Sequence, residues 1–275
     1  MKPIMYPASE KMLVAVTNNL PQSLLLTGET GVGLAVISKY IAELREVTPI
    51  VILPEKDEKI DLEKGIISVE IMRRLYNETR TKTAGERIII IDFAERMTQQ
   101  AQNAFLKLLE EPGKGVYFIL VSHSVSKLLP TIISRTENLN MRPVSLKQSE
   151  VLLDNLSITD KTKRSQLLFM AEGLPAELNR LINDDAYFEK RSLIIRDARE
   201  LLRGSTYNKL LIAQRYKDDR AATLLLLLDS TKILKKSIVS SPQIDTINHI
   251  DKILDAYERI EANGNIRLCL ARMVL

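Results

Sequence analysis

The chain has 275 residues, 45% of them hydrophobic and 27% charged, with 10 Gly and 10 Pro. That is enough apolar material for two or three packed domains, and it excludes a disordered or fibrous chain. One cysteine, Cys269, and two histidines, His123 and His249, exclude a disulfide framework within the chain and any thiolate zinc cluster. The net charge of +4 is unevenly placed: residues 186–275 carry 16 Lys+Arg against 11 Asp+Glu, a net of +5, and leave the first 185 at −1. Spread over helix faces, that excess describes solvated surface more readily than a nucleic-acid site.

The N-terminal run MKPIMYPASEKM places prolines and charges where an export signal needs an apolar core. The most apolar stretch, Ala221 to Leu228, stops at Asp229, far short of the ~20 residues that cross a bilayer. A cytoplasmic protein without a membrane partner is expected.

In chain order, Ser23 to Thr27 is a strand candidate, followed by a Gly-rich turn and a helix from Leu34 to Arg45. Ile50 to Leu53 reads as a strand, Val69 to Thr79 as a helix, and Arg87 to Asp92 as a buried strand. Thr98 to Glu111 is helical, Val116 to Val121 is a strand, Lys127 to Ser134 a short helix, and Asn138 to Met141 a last strand. Strands that are apolar throughout are covered on both faces, so these elements predict a doubly wound parallel sheet. After Pro143 only helical patterns remain, in one group from Leu146 to Asn183 and a second from Tyr187 to Leu275. Ser241 and Pro242 should break a helix in the second group, and Asn263 with Gly264 should cap another.

The segment Gly28 to Ala35, GETGVGLA, occupies the strand-to-helix turn where a phosphate loop belongs. A working loop carries Lys and then Ser or Thr after its last glycine, to neutralise phosphate and hold Mg²⁺. Here Gly28, Gly31 and Gly33 keep the spacing, but Leu34 stands for the Lys and Ala35 for the hydroxyl. The strand Arg87 to Asp92 ends in the acid that orients Mg²⁺ in P-loop enzymes, and the next residue, often a Glu that positions the attacking water, is Phe93. Three losses point to a nucleotide site without its chemistry. The alternative of an unconventional lysine has Lys39 as its candidate, but that residue lies more than a turn beyond Leu34 and should point away from the loop.

The run Asp92 to Pro112, DFAERMTQQAQNAFLKLLEEP, resembles the segment shared by the bacterial DNA polymerase III clamp-loader subunits, gamma/tau and delta prime. Asp92, Ala94, Met97, Ala101, Asn103, Ala104, Leu106, Lys107, Leu109, Glu110, Glu111 and Pro112 match its pattern. Read from the residues alone, this is an amphipathic helix with Ala101, Ala104, Phe105 and Leu108 on its packing face, stopped by Pro112. Ser134, Arg135 and Thr136 are similar to the Ser-Arg-Cys motif of the same family, whose Arg reaches a neighbour's ATP as an arginine finger. Ser122 and His123 occupy the place of a polar sensor, and Ala176 that of a second sensor arginine. Gly173, Leu174 and Pro175 match the Gly-x-Pro of delta prime, and Asn263 to Leu275 is similar to its closing helix.

The resemblance implies an α/β P-loop domain of AAA+ type over residues 1–143, a small helical lid over 144–185 and an all-α collar over 186–275. It implies a stator subunit that does not hydrolyse ATP and presents Arg135 to a neighbour. Its partners would be gamma/tau-like and delta-like subunits, with the sliding clamp and primer-template DNA met through the assembly. No bound cofactor is expected: ATP binding should be lost or weak, and the zinc-binding cysteines that these subunits usually carry are missing. The competing readings are an active ATPase with an unconventional lysine and a degenerate AAA+ adaptor outside replication.

Overall fold

The computed structural model describes residues 2–62, 64–80, 85–240 and 244–274, and the chain divides into two compact units, Met1–Ile182 and Asn183–Leu275. The first unit opens with helix α1 (Pro7–Asn18), then strand β1 (Ser23–Gly28) and helix α2 (Leu34–Leu44). Strand β2 (Ile50–Ile52) leads into a small hairpin, β3 (Glu55–Lys56) and β4 (Lys59–Ile60), and helix α3 (Val69–Arg80). Strand β5 (Arg87–Ile91), helix α4 (Gln99–Glu110), strand β6 (Val116–Ser122), helix α5 (Pro130–Ile133) and strand β7 (Glu137–Met141) complete the α/β part.

The large sheet has the order β2-β5-β6-β1-β7 and every pairing in it is parallel. Alternate residues of each strand point to opposite faces, so one apolar run fills two cores. Leu25, Ile89, Ile91, Phe118 and Leu120 pack with Met72 and Leu75 of α3 and Phe105 and Leu108 of α4. Leu24, Leu26, Ile88, Ile90, Ile119 and Val121 pack with Leu13 of α1 and with Ile37 and Ile41 of α2. The predicted doubly wound sheet is thus present, with α1 and the β3–β4 hairpin added to the expected elements.

Two details differ from the sequence expectation. The helix expected over Lys127 to Ser134 is two pieces, a 3₁₀ turn at Val125–Lys127 and α5, which begins at Pro130. A proline ring suits the first turn of a helix, where its missing N–H costs nothing, and not the interior. On α4 the buried positions are Ala101, Gln102, Phe105 and Leu108, with Ala104 only partly covered. Gln102 is buried because its amide is fully used: Nε2 donates to the carbonyls of Met97 and Lys127, and Oε1 accepts from the Leu129 amide at 2.7 Å. The side chain thereby ties α4 to the turn that starts α5.

The first unit continues with α6 (Leu146–Asn155), α7 (Lys161–Ala171) and α8 (Pro175–Asn183). Ser145 and Gln148 close a capping box at the start of α6. The second unit consists of α9 (Asp185–Arg203), α10 (Thr206–Arg215), α11 (Arg220–Ser240), α12 (Ile244–Glu261) and α13 (Ile266–Val274). Its core gathers Ile194, Ala198, Leu226, Leu227, Ile253, Ile260 and Leu270, with Cys269 partly covered against it. A buried ion pair, Arg191 Nη1 to Asp229 Oδ2 at 2.8 Å, joins α9 to α11. Asn263 is the left-handed residue after α12, with φ 66°, and the Gly264 amide returns to the Arg259 carbonyl, which is the expected cap. The break expected at Ser241 and Pro242 lies outside the described residues. No helix of the described residues is long and apolar enough to cross a membrane.

Phe105 and Phe118 meet edge to face with ring centroids 5.2 Å apart, both fully buried between α4 and the central strand β6. Phe105→Ala should destabilise the first unit by about 3–5 kcal/mol, read as an earlier denaturant midpoint for that unit with the helical unit's transition unmoved.

Candidate functional site: an altered phosphate loop and an exposed arginine

The carboxyl ends of β1, β5 and β6 form one rim of the sheet, the edge where open α/β folds hold their ligands. β1 ends at Gly28 and the loop turns through Gly31 (φ 94°) and Gly33 (φ 96°), both in the left-handed region that favours glycine, before α2 begins at Leu34. Asp92 follows β5 directly and is buried. Its Oδ1 accepts from the Phe93 amide at 3.0 Å. Ser122 ends β6, and the adjacent His123 places Nδ1 3.0 Å from the Gly28 carbonyl, which makes Nδ1 the protonated nitrogen. The rings of His123 and Phe93 meet at 5.9 Å, and the Arg96 guanidinium lies 5.0 Å from the Phe93 ring centre. Phe93 itself sits in the left-handed region at φ 55°.

Gly28, Gly31, Gly33, Asp92, Phe93 and His123 are thus gathered at one rim. Leu34 is not available to it: the side chain is 1% exposed and belongs to the apolar cluster beneath the loop, with Val32, Ile37 and Leu26. Ala35 is half-buried and carries no polar atom. The loop is further covered from above in a way that sequence reasoning missed. Helix α8 starts at Pro175, and the amides of Ala176 and Glu177 both donate to the Gly31 carbonyl, at 2.9 and 3.3 Å. The first N–H groups of a helix lack partners inside it and ordinarily suit an anion; here a loop carbonyl takes them. Leu174 packs against the same apolar cluster as Leu34, and a Cβ on Gly31 would stand 3.1 Å from that of Glu177. The glycine at position 31 is visible in the sequence, but its spacing says nothing about which segment arrives there.

The residues at this rim do not suit a magnesium-nucleotide: no lysine and no hydroxyl stands at the start of α2, and the carbonyl of Gly31 is turned toward α8. Asp92 is held above the usual carboxylate range, first by burial, with Glu95 adding to the effect and the Phe93 amide, His123 and Lys39 opposing it. Lys39 is exposed on α2.

Arg135 lies elsewhere. In the β1–β7 register Glu137 is level with Leu24 and Met141 with Gly28, a separation of four residues or ~13 Å along the strand. Arg135 precedes Glu137 and so sits at the opposite edge of the sheet from the loop. It is exposed, donating from Nη1 to the Thr131 carbonyl at 3.1 Å and from Nη2 to Glu110 at 2.9 Å. Ser134 caps α5 with its hydroxyl on Thr131, and the Thr136 hydroxyl bonds the carbonyls of Ile132 and Ile133. Thr136 can stand at its position because its hydroxyl is satisfied by its own turn.

A five-stranded parallel sheet with a Gly-rich turn between β1 and α2 defines a parallel-sheet α/β protein with a turn of the phosphate-loop kind. Residues 10–145 match the family described as DNA polymerase III, delta subunit. The DNA polymerase III subunit delta' of Bacillus subtilis (strain 168) is 26% identical over 216 residues, covering 69% of this chain and 65% of that protein. The subunit delta' of Yersinia pestis is 30% identical over 196 residues, covering 66% of this chain and 54% of that protein. This chain is similar to the DNA polymerase III delta' subunits and, in these matches, spans between about half and two thirds of those relatives' length. A RuvB mutant of Thermotoga maritima superposes with a TM-score of 0.51 at 14% identity, over 86% of this chain and 77% of that one, which speaks for the fold alone.

Burial raises the Asp92 carboxyl in the folded state, so the folded protein holds this proton more tightly than the unfolded chain does. Stability should therefore fall as pH rises from the ordinary carboxylate range through the raised value. Asp92→Asn keeps the acceptor for Phe93 and should melt higher than the parent at pH 7, with the gain vanishing near pH 3, as a melting series across pH would read.

Proposed function

We propose that this chain is a non-hydrolysing, delta-prime-like subunit of a sliding-clamp loader, which presents Arg135 to the ATP of a neighbouring gamma/tau-like subunit. The observation that carries the reading is the opposite fate of the two edges of one sheet. On the loop edge, Leu34 is withdrawn into the core, Phe93 stands where an acid would position water, and the first amides of α8 bind Gly31. Such a loop favours an ATP-inert role. On the other edge, Arg135 is exposed and carried by a Ser-Arg-Thr turn whose hydroxyls are all satisfied within the turn.

A guanidinium aimed at a γ-phosphate stabilises the charge that spreads over the equatorial oxygens as the phosphoryl group transfers. Its planar fork suits that task better than an ammonium. Because Arg135 sits across the sheet from its own loop, the nucleotide it serves belongs to another subunit. In this reading residues 144–185 form the lid that closes on the loop, and residues 186–275 form the collar that joins a hetero-oligomeric ring with gamma/tau-like and delta-like partners. The clamp and primer-template DNA are then met by the assembly. The family match over residues 10–145 and the relatives named delta' support the replication context.

The competing reading is a residual nucleotide site with an unconventional lysine. Titration of the isolated chain with Mg-ATP separates the two: no saturable heat is expected, and micromolar binding with turnover would sink the ATP-inert role. For the finger, Arg135→Ala in a reconstituted loader should lower clamp-stimulated turnover at the facing site by a factor on the order of 10³. Unchanged turnover would remove that role.

A further inference from the structure

We propose that Glu110 is a positioning residue for Arg135. Glu110 is the last residue of α4, and Arg135 follows the short α5. The two side chains, 52% and 40% exposed, meet at 2.9 Å, while the Thr131 carbonyl takes a second N–H of the same guanidinium at 3.1 Å. A guanidinium has five donors in a fixed plane, so these two contacts leave Nε and one N–H on each terminal nitrogen to face a phosphate. An exposed arginine otherwise samples many rotamers, and that freedom must be given up when it engages a phosphoryl group. Two acceptors from two different helices fix the plane beforehand.

The frame behind the pair is rigid. Gln102, one helix face back on α4, holds the Leu129 amide and the Lys127 carbonyl at the start of α5, so the carboxylate and the guanidinium are carried by elements tied to each other. The carboxylate orients the guanidinium without touching the nucleotide.

This inference rests on the finger reading above, and the experiment keeps the two apart. In the reconstituted loader, Glu110→Ala should lower kcat for clamp-stimulated ATP turnover roughly threefold, as befits an exposed ion pair, and leave the KM for ATP unchanged. Glu110→Gln retains an oxygen acceptor and should restore most of the loss. In an Arg135→Ala background Glu110→Ala should have no further effect, because the two act as one unit. Assembly of each variant, read by size-exclusion elution, controls for folding. If Glu110→Ala leaves kcat unchanged while Arg135→Ala abolishes it, the positioning role is overturned and the finger stands. A rise in kcat overturns it too, since the pair would then restrain the arginine. If Arg135→Ala is itself silent, the finger reading falls first and this proposal with it.

Discussion

Burial of both faces of the three inner parallel strands, β1, β5 and β6, is the constraint on which the first unit depends. Each inner strand must be apolar at successive residues, because Leu24 and Leu26 face α1 and α2 while Leu25 faces α3 and α4. Parallel strands cannot be joined by tight turns, so every connection crosses the sheet and the covering helices come from the connections themselves. The crossovers have a direction: each leaves the carboxyl edge and returns at the amino edge. Residues that follow strands therefore collect on one edge, and residues that precede strands collect on the other. Gly28, Asp92 and His123 belong to the first group and Arg135 to the second.

The same constraint explains how the phosphate loop could lose its side chains without losing its shape. The turn is needed to pass from β1 to α2 whatever it binds, and Gly31 and Gly33 supply its left-handed residues. Leu34 at the first position of α2 is absorbed by the core below, where a lysine would have had to bury an ammonium or turn away from the helix axis. The carbonyl of Gly31 takes the leading amides of α8. The unsatisfied end of one helix and the exposed carbonyl of a loop solve each other's hydrogen-bonding problem.

Much of the sheet was legible in the sequence because a fully buried parallel strand is a continuous apolar run bounded by breakers, as in Arg87–Ile91 and Val116–Ser122. Helix α1 was less so: its buried positions, Ser9, Leu13 and Thr17, include two polar residues, so its stripe is faint. The split of the helix before Arg135 was written in Pro130, since a proline begins helices more readily than it sits within them. The loop glycines, Asp92 and Arg135 could be named from spacing and resemblance. Their partners could not: the amides of Ala176 and Glu177, and the carboxylate of Glu110, come from segments far along the chain, and only the fold brings them in. Gln102 is the instructive case. A polar residue on the buried face of α4 is visible in the sequence as an irregularity, but its meaning depends on the turn before α5 that its amide satisfies.

Placing the loop and Arg135 on opposite edges has a further physical consequence. Substitutions at the loop edge act on α2 and α8, while Arg135 is held by α4 and α5 through Gln102, Glu110 and Thr131. The two sets of supporting contacts share the sheet but no side chain, and sites without shared partners respond to change nearly independently. A chain can therefore shed the cation, the hydroxyl and the acid of its own nucleotide site and still keep the geometry around an arginine on the far edge. Under the proposed role, this separation is what would let the chain give up hydrolysis at its own loop while Arg135 serves a neighbour.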